Sequence, residues 1–390
     1  MKNPIYLDYN ATTPCSTSVL DAMIPYFKEL YGNASSQHHS FGWLASEAIE
    51  KATNSIAQDL RIKPNEIIYT SGSTESINTI IKGVYRKNKI KKNQIITVKT
   101  EHKAVLDVCA LLEKEDAEIT YLKVDKNGLI SLEELEKTIT NKTSIVSIML
   151  ANNETGVLQD INYIGEICKK KGALLFSDIT QALGKINLKD IFFNVDFACF
   201  SAHKIFGPKG IGLTYIKTES KAHLDSFIQG GGQQRNLRGG TYNTPSIVGF
   251  SIAIKKSVQN IHFNNRIAKL RDYMQEKLLE IEGTKINGVE VDRLPNTLNI
   301  SFDYVDGEKL LFALSQKIAV SNGSACNSSS VHPSHVLKAM GLNNNLAFSS
   351  LRISLGITTS KTEINIAIAH IKESIELLRN NNSLWINRSI

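Results

Sequence analysis

Val195-Asp196-Phe197-Ala198-Cys199-Phe200-Ser201-Ala202-His203-Lys204-Ile205-Phe206-Gly207-Pro208-Lys209-Gly210-Ile211-Gly212 is the stretch that decides the fold. It opens on an apolar run that reads as a buried strand and closes on turn residues. A strand apolar on both faces belongs to a sheet covered on both sides. Lys204 stands where that strand breaks into a loop, the place where α/β folds hold ligand-binding groups. Most lysines are solvated surface charges. Lys204 differs in its company, with a buried strand before it and Gly207, Pro208, Gly210 and Gly212 behind it. A lysine held there can have a lowered pKa and condense with a carbonyl group.

The same alternation extends outward. Apolar strands are predicted over residues 5–8, 66–70, 94–98, 118–122, 144–150, 173–177 and 211–216. A helix is predicted from Ser16 or Thr17 towards Tyr31, and a long one with Leu44, Ala48, Ala52, Ile56 and Leu60 near one face. Ser71-Gly72-Ser73-Thr74-Glu75-Ser76 joins a strand to a helix carrying Ile77, Ile80, Ile81 and Val84. Ser131 and Glu134 fit a capping box, and a further helix is predicted over 161–171. This pattern predicts an α/β fold with a mostly parallel sheet covered on both faces. After Gly230–Thr241 the character changes. Helices from 244 and over 264–282, strands over 297–302, 318–321 and 351–355, a helix over 307–314 and a last amphipathic helix predict a smaller α+β unit. The boundary falls near residue 260: 15–260 form the large domain, and 1–14 with 261–390 the small one.

The 390 residues carry a mild net charge of +7, with 21% charged and 42% hydrophobic residues, ordinary for a globular protein. Arg86-Lys87-Asn88-Lys89-Ile90-Lys91-Lys92 is the densest basic stretch, and no aromatic residue alternates with its charges. It reads as a solvated segment, open to an acidic partner protein, and no direct nucleic-acid contact is expected. Five widely spaced cysteines without a CxxC pair suggest neither a disulfide framework nor a zinc finger. The start of the chain lacks the apolar core of a signal peptide, and no apolar run is long enough to cross a membrane. A reduced, cytoplasmic protein without membrane contact is expected.

Polar groups gather at predicted strand ends: His102, Asn153, Asp178 and Lys204. A Schiff-base lysine calls for a carbonyl cofactor, and pyridoxal 5'-phosphate (PLP) also asks for a carboxylate at its pyridine nitrogen and a phosphate cradle. Asp178 can be the carboxylate and Gln181 can reach the ring hydroxyl. His102 can stack on the ring or move a proton. Ser73, Thr74, Ser201 and His203 can hold the phosphate, the first two at a strand-to-helix turn that offers backbone N–H groups. Taken singly, an aspartate is more often a loop cap and a histidine more often a satisfied structural residue. Their common place at strand ends is what raises them.

The chain resembles the class I cysteine desulfurases of the NifS/IscS type, within the class V aminotransferase group. The matching stretches run from Tyr6–Pro14 through Thr70–Ser76, Thr100-Glu101-His102, Asn152–Gly156, Asp178–Gln181, Ser201–Gly210 and Gly230–Thr241 to Ser324-Ala325-Cys326. The resemblance implies a fold-type I, PLP-dependent homodimer that converts L-cysteine to L-alanine. It implies Lys204 as the Schiff-base lysine, His102 over the ring, Asp178 at the pyridine nitrogen and Gln181 at the ring hydroxyl. Ser73, Thr74, Ser201 and His203 would hold the phosphate, with Thr241 reaching it from the other subunit. Asn153 would serve both cofactor and substrate, and Arg352 would clamp the substrate carboxylate. The bland reading of Arg352 is a surface ion pair, and its place in a strand argues against that.

Cys326 is the implied nucleophile. Its neighbours, Asn322-Gly323-Ser324-Ala325 and Asn327-Ser328-Ser329-Ser330, are small and polar, unlike the setting of a buried structural cysteine. The long segment from Cys326 towards His335 favours the class I form. A persulfide on Cys326 would pass to a sulfur-acceptor protein, in iron–sulfur cluster assembly, tRNA thiolation or DNA phosphorothioation. The chain departs from the family at Ile179, Tyr242 and His332. Cys326, His332 and His335 lack zinc-finger spacing, so no metal site is expected. The stretch after Trp385 is short, which puts a scaffold contact through a longer tail in doubt. Two other readings stand beside this one. The first is a selenocysteine lyase or other PLP enzyme; the second is a non-catalytic sulfur carrier or scaffold partner.

Overall fold

The structure is a computed structural model and describes residues 4–322 and 333–389. Its strands are β1 (Ile5–Tyr6), β2 (Ile67–Thr70), β3 (Gln94–Val98), β4 (Glu118–Leu122), β5 (Thr143–Ser147), β6 (Leu174–Asp178), β7 (Phe197–Ser201), β8 (Gly212–Ile216), β9 (Thr284–Ile286), β10 (Thr297–Phe302), β11 (Ile318–Ala319) and β12 (Leu351–Ser354). Seven of them form one sheet in the order β2-β8-β7-β6-β5-β3-β4. Pairing is parallel from β7 through β4, whereas β8 runs antiparallel to both β7 and β2. All strands of this sheet except β8 therefore end at one edge. The mixed α/β architecture with a mostly parallel sheet agrees with the sequence reading.

Alternation along the strands divides their side chains between two cores. Ile67, Tyr69, Ile96, Val146, Leu175, Ala198 and Phe200 pack towards the helices Ser40–Leu60, Ile161–Lys171 and Thr244–Gln259. Ile68, Ile95, Ile145, Phe176, Phe197 and Cys199 pack towards Ser73–Asn88 and Lys103–Glu113. Each fully buried large side chain contributes about 1.5–3 kcal/mol, so both faces hold the sheet, and its C-terminal edge is a firm platform. A third core joins Leu7 to residues from Ile267 to Ile375, with β9, β10 and β12 as its sheet. The N-terminal strand β1 pairs in parallel with β11, which brings residues 8–13 across to the platform.

Three local expectations need correction. The helix predicted towards Tyr31 is broken into Thr17–Met23 and Pro25–Lys28. Pro25 cannot donate an amide to the preceding turn and starts a new one instead. Leu44 is not on the buried face of its helix; it is 44% exposed, while Ala48, Ala52, Ile56 and Leu60 are buried. At Ser131 half a capping box forms: its hydroxyl accepts from the Glu134 amide at 3.2 Å.

Candidate active site

β7 ends at Ser201 and turns at once through the 3-10 segment Ala202–Lys204. The sheet is tight here. A Cβ at Gly212, the partner of Ser201, would lie 2.6 Å from the Cα of Gly72. Gly72 itself has φ 155°, which only glycine tolerates easily, and it starts the helix Ser73–Asn88. The ends of β2, β6 and β7 thus converge on one cavity of about 1040 Å³. Ser73, Thr74, His102, Asn153, Asp178, Gln181, Ser201, His203, Lys204 and Arg352 all line it.

The Lys204 Nζ donates to the carbonyls of Asn10 at 2.6 Å and Ala11 at 2.7 Å. Burial lowers its pKa to about 8, and the Arg352 charge pushes the same way, with Asp178 and Asp8 opposing. It therefore exchanges protons near neutral pH, as a Schiff-base lysine or a general base must. Asp178 closes β6, and its Oδ1 accepts from the Thr180 amide at 2.9 Å. The Thr180 hydroxyl meets that of Ser73 at 2.5 Å, which ties the carboxylate to the first turn of the helix Ser73–Asn88. Burial, with the charges of Lys204 and Lys209, holds His203 down to about 4, so its ring is neutral. The ring Nδ1 pairs with the Thr12 hydroxyl at 3.1 Å. The His102 Nδ1 accepts from the Ala104 amide at 3.1 Å, which assigns the ring proton of the neutral form to Nε2. Desolvation lowers the His102 pKa and Asp178 opposes it.

The opposite wall is different. Arg352 is 7% exposed and its Nη2 donates to the Asp8 carboxylate at 2.7 Å. Its Nη1 donates to the Asn153 carbonyl at 3.3 Å. The guanidinium is thus a buried ion pair that also faces the cavity, neither a surface pair nor an unpartnered clamp. The Arg352 Nε and the Asn153 Oδ1 are buried and find no partner among the described residues. Such orphaned polar atoms beside a cavity suit a polar ligand. Glu154 is also buried; burial raises its pKa to about 7, against the opposing pull of Ser334 and Arg352. The Ser334 hydroxyl donates to its carboxylate at 2.5 Å.

One of the described candidates is not gathered here. Thr241 is exposed on its loop and is not among the residues lining the cavity. Cys326 and His332 lie outside the described residues. The residues on either side of that stretch, Ser321 before it and Pro333, Ser334 and His335 after it, do line the cavity. Sequence reasoning assigned no role to Asp8, Asn10, Glu154, Thr180, Lys185 or Ser334. Asp8 and Asn10 sit inside a quoted motif, and the spacing of Gln181 and Lys185 was the one available signal for the latter.

The donor set fits PLP. A helix N-terminus with Ser73 and Thr74, joined by Ser201 and neutral His203, suits a phosphate. Asp178, Gln181 and a lysine of depressed pKa lie in the same cavity.

Residues 5–366 match the family described as Aminotransferase class-V. The "Cysteine desulfurase IscS" of Neisseria meningitidis serogroup C / serotype 2a is 46% identical over 386 residues, covering 99% of this chain and 95% of that protein. A solved structure titled "NIFS-LIKE PROTEIN" superposes with a TM-score of 0.89 at 38% identity, covering 96% of this chain and 100% of that one. Another, "SspA in complex with cysteine", gives 0.80 at 35% identity, with 90% and 98% covered.

Proposed function

The chain belongs to the class-V aminotransferase family, and from that premise we propose that it is a PLP-dependent cysteine desulfurase, taking L-cysteine to L-alanine with a persulfide on Cys326. One observation carries the reading. A single cavity holds Lys204, Asp178, His102 and Arg352, and both flanks of the stretch that bears Cys326 line it.

When bound, PLP supplies a carbonyl for amines and an electron sink for the substrate carbon. The protein's residues do the rest. Asp178 holds a protonated pyridine nitrogen, and Gln181 donates to the ring hydroxyl. Ser73, Thr74, Ser201 and His203 hold the phosphate, and Asn153 contacts both cofactor and substrate. Arg352, kept in place by Asp8, binds the substrate carboxylate. Lys204 takes the proton from the substrate α-carbon, and its lowered pKa makes the free amine available. His102, with its proton on Nε2, faces the same space. The Cys326 thiolate attacks the substrate sulfur. An S–S bond forms as the C–S bond breaks, and the electron pair leaves with the three-carbon skeleton, which takes up protons to become alanine.

We place residues 15–260 in a cofactor-binding domain and 1–14 with 261–390 in a smaller one, a division supported by the core that Leu7 shares with residues 267–375. A homodimer is supported by Thr241, exposed and not among the residues lining its own cavity, and by the exposed Phe27, Tyr31, Phe41 and Trp43. A reducing cytoplasm suits the free Cys15, Cys109, Cys168 and Cys199. Among the described residues no helix is long and apolar enough to cross a membrane. The persulfide sulfur passes to a sulfur-acceptor protein, in iron–sulfur cluster assembly, tRNA thiolation or DNA phosphorothioation. The test compares wild type with Cys326→Ser on L-cysteine and on selenocysteine. Wild type should form alanine and a persulfide, and Cys326→Ser should bind PLP but form no persulfide. Full sulfide release by the variant with a reductant would refute the role of Cys326. A rate far higher on selenocysteine would instead assign a lyase.

A further inference from the structure

Lys185 is a buried lysine that bonds two residues of the cavity lining, Asn10 and Gln181, and the chemistry above does not use it. It follows Gln181 by four residues in the turn after β6, so the two side chains share one side of that turn. The turn is closed by the Ile186 amide on the Ala182 carbonyl at 3.1 Å. The Lys185 Nζ donates to the Gln181 Oε1 at 2.8 Å and to the Asn10 Oδ1 at 3.0 Å. The Gln181 Nε2 donates to the Asn10 carbonyl at 3.0 Å, the same carbonyl that receives Lys204. Asn10 is 1% exposed and joins the two lysines, one on its side chain and one on its backbone.

The arrangement fits a neutral amine. Burial and the charges of Lys204 and Arg352 hold the Lys185 pKa well below its usual value. A neutral amine has two N–H donors, and Gln181 and Asn10 offer two acceptors. Flipping the Gln181 amide would set its oxygen against the Asn10 carbonyl and leave two acceptors facing each other. Gln181 is itself buried, so an oxygen deprived of Lys185 would be left unpaired and the side chain would turn away.

We propose that Lys185 is a positioning residue for the cofactor site: its Nζ holds the Gln181 carboxamide oxygen and so reserves the Gln181 N–H groups for Asn10 and the cofactor's ring hydroxyl. The proposal rests on the PLP reading above. It acts through Gln181 and not through a charge of its own.

The test is a pH titration of the visible absorbance of PLP bound to the full-length holoenzyme. Wild type, Lys185→Met, Gln181→Ala and the double variant are compared. A donor to the ring oxygen makes the ionised form easier to reach, so its loss should raise the midpoint, by about half a pH unit or more. Lys185→Met and Gln181→Ala should show the same rise, and the double variant no more than either alone. An unchanged midpoint in Lys185→Met, even with a lower Tm, would overturn the proposal. A further shift on adding Lys185→Met to Gln181→Ala would also overturn it, because Lys185 would then act by charge. Should Lys185→Met fail to fold, Lys185→Gln, too short to reach both acceptors, takes its place in the same comparison. A wild-type protein that takes up no PLP would sink the desulfurase reading itself, which is a different failure from an unmoved midpoint.

Discussion

The two walls of the cavity are built on different terms. The sheet wall takes Ser73, Asp178, Ser201 and Lys204 from places just beyond or at strand ends, with both faces of the sheet packed beneath them. The other wall takes Glu154, Ser334 and Arg352 from segments distant in sequence, with Asp8 paired to Arg352 and Ser334 hydrogen-bonded to Glu154. On the first wall the backbone sets position. On the second, each polar group is placed by another polar group. The comparison suggests a division of labour: cofactor chemistry on the rigid wall, substrate recognition and sulfur transfer on the networked one.

The sharpest break would come from Lys204→Ala. Alanine formation from cysteine should fall by at least about 10³-fold, and the visible band of bound PLP should change form. An unchanged spectrum would remove Lys204 from the sheet wall's role. Arg352→Ala probes the other wall. Its loss should raise the KM for cysteine by roughly 10–100-fold, the weight of a charged hydrogen-bonded contact, while PLP absorbance stays close to wild type. Loss of the cofactor band in that variant would erase the proposed division.

Glu154 offers a pH-based test of the networked wall. Its folded pKa is raised from 4.5 to about 7. The stability it contributes is therefore fully present below pH 4.5 and is lost as pH rises through about 7. Glu154→Gln should lack this loss, so the variant should gain on wild type by about 2 kcal/mol between pH 5 and pH 8, read from denaturant unfolding. Parallel curves for the two proteins would show that the carboxyl is not held protonated. The smallest effect is expected from Asp8→Asn, which keeps the shape but removes the charge beside Arg352. The KM for cysteine should rise about three- to tenfold with kcat nearly unchanged. An equal fall in kcat would assign Asp8 a part in the chemistry.

The sheet wall was legible in the chain because its signals are local. Apolar runs such as residues 197–201 mark strands, and a strand's end marks the edge where a ligand sits. Lys204, Asp178 and His102 follow from that alone, and the family resemblance then supplies their roles. The networked wall was not legible in this way. Asn10 meets Lys185 across 175 positions and Asp8 meets Arg352 across 344. No periodicity reports such pairs, which exist only once β1 has paired with β11. The exposed Leu44 shows the reverse limit: helical spacing marks a face, but not how far along the helix that face stays covered. Thr241 needs a second copy of the chain to be tested at all.

The central claim joins the two walls: Lys204 prepares the substrate and Cys326 removes its sulfur. A single-turnover reaction with L-cysteine, followed by peptide mass spectrometry without reductant, tests it most directly. The account predicts one added sulfur on the peptide that contains Cys326, matched by one equivalent of alanine. Alanine formed with no sulfur on Cys326, or with sulfur on another cysteine, would contradict it.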